Sequence, residues 1–146
     1  MADSLAIAIL AAGKGTRMRS ALPKVLHRLS GLTLVENVIA STALVNPTRK
    51  LAIIGYAADQ VKTALSGIPN LEFVEHSDQL GTNHAVQLIL PHIKSIQGTL
   101  LVLNGDVPLL KPETIQQKVN THNQTNNAAT ILTAQMEDPT GYGRVF

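Results

Sequence analysis

The sequence predicts an α/β chain built on a doubly wound, mostly parallel sheet with helices on both faces. Three observations lead there. Short runs of branched aliphatic residues recur at 5–10, 50–56, 71–76 and 99–103, each with strand length. Stretches of helical periodicity separate them, and such alternation implies parallel strands joined by right-handed crossovers. Hydrophobic residues make up 45% of the chain but aromatics only 3%, so the core must be made of Ala, Val, Ile and Leu. That inventory suits strands covered on both faces.

The elements follow in order. Residues 5–10 (LAIAIL) form a first buried strand that runs straight into a loop holding Gly13, Gly15, Lys14, Arg17, Arg19, Pro23 and Lys24. Thr33 and Glu36 have the spacing of a capping box, and apolar residues at 34, 35, 38, 39 and 45 predict a helix ending near Asn46-Pro47. Residues 50–56 give a second strand, 58–65 a short helix stopped by Gly67, and 71–76 a third strand. Thr82 caps a helix through Ile93 that Pro91 ends or kinks. Residues 99–103 (TLLVL) are the fourth strand, and Pro112 opens a helix to about His122. A polar loop at 123–127 leads to a fifth strand at 128–136. In sheets of this class ligands bind beyond the carboxyl ends of the strands, where the winding reverses.

At 146 residues the chain is one domain's worth. The net charge is only +2, yet five of the twelve basic residues (Lys14, Arg17, Arg19, Lys24, Arg28) share one acid-free window. A local excess of this kind fits a small anionic ligand and not a nucleic acid, which needs a broader basic face or exposed stacking rings. The absence of cysteine excludes disulfides and thiolate metal sites and agrees with a cytoplasmic setting. The apolar run at 5–12 lacks the positive start of a secretory signal, and no stretch nears the ~20 residues that span a bilayer. No membrane partner is expected.

A strand ending in a glycine-rich cationic loop is suited to phosphate, because glycine lets backbone N–H groups approach while Lys and Arg bring charge. It is not a dinucleotide fingerprint, since Met18 stands where the third Gly belongs, and no P-loop pattern occurs. Asp106 follows the fourth strand directly, so its carboxylate emerges at the same edge as the basic loop. It is either a plain counter-charge or a hard oxygen ligand for Mg²⁺ beside phosphates. His27, His84, His92 and His122 read as structural, and no Ser/His/Asp or paired-carboxylate arrangement is present.

Four stretches in order, LAAGKGTRMRSALPKVLH (10–27), QLGTNHAVQ (79–87), NGDVPLL (104–110) and DPTGYGR (138–144), resemble the sugar-nucleotide pyrophosphorylases. Within that group the chain is most similar to the bacterial N-acetylglucosamine-1-phosphate uridyltransferases, which are bifunctional. The resemblance implies a Rossmann-like nucleotide-diphospho-sugar transferase fold, cytoplasmic, acting in UDP-N-acetylglucosamine and peptidoglycan synthesis. It implies Mg²⁺ as cofactor, and UTP and N-acetylglucosamine 1-phosphate as substrates. By the resemblance, the backbone of Leu10, Ala11, Ala12 and Gly13 lies along the nucleotide. Arg17 stabilises the pyrophosphate, Lys24 meets the phosphate between nucleotide and sugar, and Lys14 assists. Asp106 is then the metal ligand, Gly105 lets backbone and ligand come close, and Gly81 and Thr82 contact the uracil. Gly143 meets the acetamido sugar through its backbone. Three positions depart from the family pattern: His76 replaces a Gln that reads the uracil, Asn104 replaces a frequent Tyr, and Asn83 replaces a small residue.

The family's nucleotidyltransferase domain continues past the GYGR motif, with a second Mg²⁺ ligand, and is followed by a left-handed β-helix acetyltransferase domain; full-length members form trimers. Residues 1–146 are therefore expected to be a truncated, N-terminal portion of that domain. Three functions stay open at this point: the uridyltransferase reaction, a related transfer to another sugar or to molybdopterin, and nucleotide binding without turnover.

Overall fold

The computed structural model describes residues 4–76, 82–94, 96–143 and 145. The principal elements are β1 (Ser4–Ala11), α1 (Leu34–Ala40), β4 (Arg49–Ile54), α2 (Ala58–Ala64), β5 (Leu71–Glu75), α3 (Thr82–Ile93), β6 (Gly98–Asn104) and α4 (Pro112–Thr125). A small hairpin of β2 (Arg28–Leu29) and β3 (Leu32–Thr33) precedes α1. The four long strands are all parallel, in the order β5-β4-β1-β6.

β1 sits inside the sheet, and its apolar residues serve both faces. Leu5, Ile7, Ile9 and Ala11 point to one side, where they meet Val35, Val38 and Ile39 of α1, Val61 of α2 and Ile115 of α4. Ala8 points to the other, with Leu51, Ile53 and Val74, under Ala85 and Ile89 of α3. Each fully buried aliphatic side chain of this kind is worth roughly 1.5–3 kcal/mol. This two-sided burial is why the strands read as continuous apolar runs, and it bears out the expected fold class.

The distribution of helices follows from strand order. From β1 the chain steps twice in one direction, through α1 to β4 and α2 to β5, so right-handed crossovers place both helices on one face. The step back from β5 to β6 reverses direction and puts α3 on the opposite face. That reversal creates a switch point between the carboxyl ends of β1 and β6.

Several boundaries differ from expectation. α1 stops at Ala40 and not near Asn46. The hydroxyls of Ser41 and Thr42 donate to the Val38 and Ile39 carbonyls at 2.7 Å each, satisfying groups that another helical turn would have used. The hairpin at 28–33 was not expected; Ser30 and Gly31 both take positive φ (52° and 89°), the pattern of a tight two-residue turn. α4 extends to Thr125, past the expected His122, whereas α3 runs from Thr82 through Pro91 to Ile93 with the expected bounds.

The largest correction is the fifth strand expected at 128–136, which has no regular structure. The reason lies in handedness. α4 packs on the same face as α1 and α2, but a strand added beyond β6 lies in the opposite direction. A parallel strand there would need a left-handed crossover, which sheets almost never adopt.

Thr33 caps α1 as expected. Its hydroxyl oxygen accepts from the Glu36 N–H at 3.2 Å, and the Thr33 N–H donates to Glu36 Oε2 at 2.7 Å. The Thr33 hydroxyl also donates to Glu36 Oε2 at 2.7 Å, and the Thr33 N–H and hydroxyl together hold the Glu36 carboxyl below its ordinary value of 4.5. Thr33→Ala is expected to cost about 1 kcal/mol in a denaturant titration. Because the folded pKa of Glu36 is depressed, its contribution is full above 4.5 and fades as the pH falls through the folded value. The gap between variant and wild type should therefore narrow in acid.

Candidate active site

The loop after β1 is shaped by Gly15. Its φ of 67° and ψ of 42° are left-handed, and a Cβ on it would lie 2.5 Å from Lys24 Cβ. Glycine is thus required twice, for the turn and for the Lys24 stem that packs against it. The chain then makes one tight turn at Thr16–Met18, closed by Met18 N–H to Gly15 O (2.9 Å) and Arg19 N–H to Thr16 O (3.3 Å). A second turn, Lys24–Leu26, anchors its end by burying Val25 and Leu26.

From the neighbouring strand, Gly105 and Asp106 approach the same place. Leu10 pairs in register with Asn104, and the Gly105 N–H donates to Leu10 O at 2.9 Å. A Cβ at 105 would stand 2.8 Å from that carbonyl, so only glycine lets the turn after β6 lie against the end of β1. Asp106 is thereby brought to Lys24. The ammonium donates to Asp106 Oδ2 at 2.7 Å, and each side chain is 36% exposed.

This pair lies in a cleft of about 400 Å³ at the switch point. Leu10, Ala12, Gly13, Arg17, Lys24, His76, Asn104 and Asp106, all singled out from sequence, line it together. Arg17 and Lys24 of the basic loop bring positive charge to it, and His76 and Ala85 line it as well. His76 is 3% exposed; its N–H donates to Ile54 O at 2.7 Å, and its Nε2 shares a hydrogen bond with His84 Nδ1 at 2.9 Å.

The remaining site residues fall elsewhere. Ala11 is buried on the core side of β1 and does not line the cleft. Lys14 does not line the cleft; its ammonium lies 5.2 Å from the centre of the Tyr56 ring, a cation–π contact at the end of β4. Gly105 is buried beneath the lining. Gly143 is exposed in the tail and does not line it. Gly81 lies outside the described residues, as does the side chain of Thr82, whose backbone begins α3. Gly15, Thr16, Val25 and Ala85 also line the cleft and were not singled out as contacts. Gly15 and Thr16 sit inside the glycine-rich stretch; nothing in the sequence marks Val25 or Ala85 apart from other apolar positions.

Among the described residues no three His, Cys, Asp or Glu side chains converge as a metal cage. Among the described residues Asp106 is the one acidic side chain lining the cleft, and only its Oδ2 is engaged. A half-buried carboxylate beside the cations of a phosphate loop suits Mg²⁺, which takes one or two carboxylates and completes its shell with phosphate oxygens and water. No described helix is long and apolar enough to cross a membrane.

Comparisons with known proteins place the chain in a family. The chain is 62% identical over 142 residues to the bifunctional protein GlmU of Acaryochloris marina, and 59% identical to that of Rippkaea orientalis. Both matches cover 97% of the chain but 31% of the relative, so the chain spans about a third of their length. These relatives bear out the family expected from the four motifs. Among solved structures, a nucleotidyl transferase from Methanothermobacter thermautotroptrophicus superposes with a TM-score of 0.63 at 22% identity, covering 80% of this chain and 57% of that one. The inositol-1-phosphate CTP transferase of T. maritima gives 0.59 at 26% identity, covering 73% and 44%. The family model described as the MobA-like NTP transferase domain matches residues 7–145, and the chain belongs to that family.

Proposed function

We propose that this chain serves nucleotidyl transfer: UTP and N-acetylglucosamine 1-phosphate give UDP-N-acetylglucosamine and pyrophosphate. The observation that carries the reading is the Lys24–Asp106 pair, which joins the basic loop and the carboxylate in one cleft at the switch point. The identity to bifunctional GlmU proteins supports the choice of sugar and base. We take the chain as the N-terminal portion of a nucleotidyltransferase domain and place the reaction in the cytoplasm.

The chemistry asks little of a general base. A phosphate oxygen of the sugar phosphate, already anionic at neutral pH, attacks the α-phosphorus of UTP. The Pα–O bond to the β-phosphate breaks, and pyrophosphate leaves with the electron pair; no proton need move. What the site must do is suppress repulsion between anions, align the attack and hold the departing charge. Lys24 meets the bridging phosphate, and Arg17, exposed on the tight turn, receives the pyrophosphate. Asp106 would hold Mg²⁺, which when bound neutralises phosphate charge. The part of the cleft lined by His76 and Ala85 takes the base.

The test is phosphate release from UTP, sugar phosphate and Mg²⁺ with a coupling pyrophosphatase. Wild type should turn over, and Arg17→Ala should lower kcat about 100-fold or more without shifting the melting temperature. Near-normal turnover in that variant would remove Arg17 from the mechanism. Stabilisation by UTP in a thermal shift without any release would favour nucleotide binding without turnover.

A further inference from the structure

The His76–His84 contact carries more than packing. The two rings are tilted by 53° with centroids 4.9 Å apart, and the link between them is a single hydrogen bond from ring nitrogen to ring nitrogen. One nitrogen must donate and the other accept. The contact therefore couples the tautomers. If His76 Nε2 carries the hydrogen, its Nδ1 is an acceptor. If His84 Nδ1 carries it, His76 Nε2 accepts and the hydrogen of His76 sits on Nδ1, which becomes a donor.

His76 lines the cleft together with the cations that suit phosphates. Its backbone N–H is already held by Ile54 and its Nε2 by His84, so among the described residues Nδ1 is the ring nitrogen left to meet a ligand. His84 stands in the first turn of α3, one residue before Ala85, which lines the same cleft. On the reading of the cleft as a nucleoside triphosphate site, we infer that His84 is a positioning residue for base selection. Through the shared hydrogen bond the tautomer of His84 sets that of His76, and so decides whether His76 offers the base a hydrogen-bond donor or an acceptor. UTP and CTP differ in just this respect, a carbonyl against an amino group and N–H against a bare nitrogen, so a locked tautomer discriminates between them and an unlocked one does not.

The experiment uses this chain with His84→Phe, which keeps a ring and removes the nitrogen, and His84→Asn, whose amide places a polar atom where Nδ1 stood. Nitrogen-15 NMR of the labelled histidines reads the His76 tautomer, and titration calorimetry gives the UTP-to-CTP affinity ratio for each protein. Wild type should show one His76 tautomer and a clear preference for one nucleotide. His84→Phe should show mixed tautomers and a ratio reduced about five- to tenfold, the effect of one lost hydrogen bond. His84→Asn should recover most of that ratio. If His84→Phe leaves the ratio unchanged while triphosphates still bind, this inference is overturned alone. If wild type binds neither triphosphate, the proposed function falls and this inference with it.

Discussion

Lys24→Ala is expected to lower turnover about 100- to 1,000-fold while leaving the melting temperature nearly unchanged. The two effects separate because of where the pair lies. Its ammonium and carboxylate meet at 2.7 Å, but each side chain is 36% exposed, and ion pairs this wet contribute only about 0–1 kcal/mol to folding. In the reaction the same ammonium faces phosphate, where its charge opposes the repulsion between two anionic substrates. Lys24→Arg should not restore activity. The Lys24 stem is packed on Gly15, and a planar guanidinium on a longer arm cannot reproduce a point charge at that place. Steady-state pyrophosphate release together with calorimetry checks both halves. A Lys24→Ala protein with wild-type kcat would remove the pair from the chemistry, and one that fails to fold would show that its weight is structural.

Gly105→Ala is the second large effect, and it acts through stability and activity together. The added Cβ would stand 2.8 Å from the Leu10 carbonyl, the same oxygen that accepts the Gly105 N–H. The oxygen is backbone and the Cβ is bonded directly to backbone, at the ends of adjacent strands, so neither can swing aside. Relief requires the turn after β6 to lift, and overpacking of this kind costs typically 1–3 kcal/mol. Asp106 is the next residue and moves with it. A displacement of about 1 Å at a phosphoryl site can cost roughly 100-fold in rate. A denaturant midpoint and kcat measured on the same preparation should both fall. An unchanged midpoint would mean that the strand ends are less tightly joined than their hydrogen bond indicates.

Much of this was legible in the chain itself. The apolar runs mark the four paired strands to within a residue or two because both faces of a parallel sheet are covered, which leaves no polar alternation to confuse them. Glycines at 13 and 15 with nearby cations mark the phosphate side, and a carboxylate directly after TLLVL marks the opposing residue. The convergence of Lys24 with Asp106, 82 positions apart, follows once β1 and β6 are neighbours. What the sequence does not carry is the side of the sheet on which α4 packs. Periodicity identifies a helix and its apolar face but not which layer receives it, so 128–136 reads as a strand although handedness denies it a place beside β6. The end of α1 was missed for a local reason, since serine and threonine hydroxyls can finish a helix where the apolar pattern still continues. The position of Lys14 over Tyr56 joins two loops whose relative course depends on the sheet.

The way the loop and the carboxylate are mounted limits how this cleft can work. Both hang from strand ends laced together by the Leu10–Asn104 pairing and the hydrogen bond just beyond it. The floor behaves as a single plate with no hinge between its halves. Among the described residues, adjustment to an entering substrate or a departing product falls to the loop at 13–22, whose tight turns lie outside that pairing.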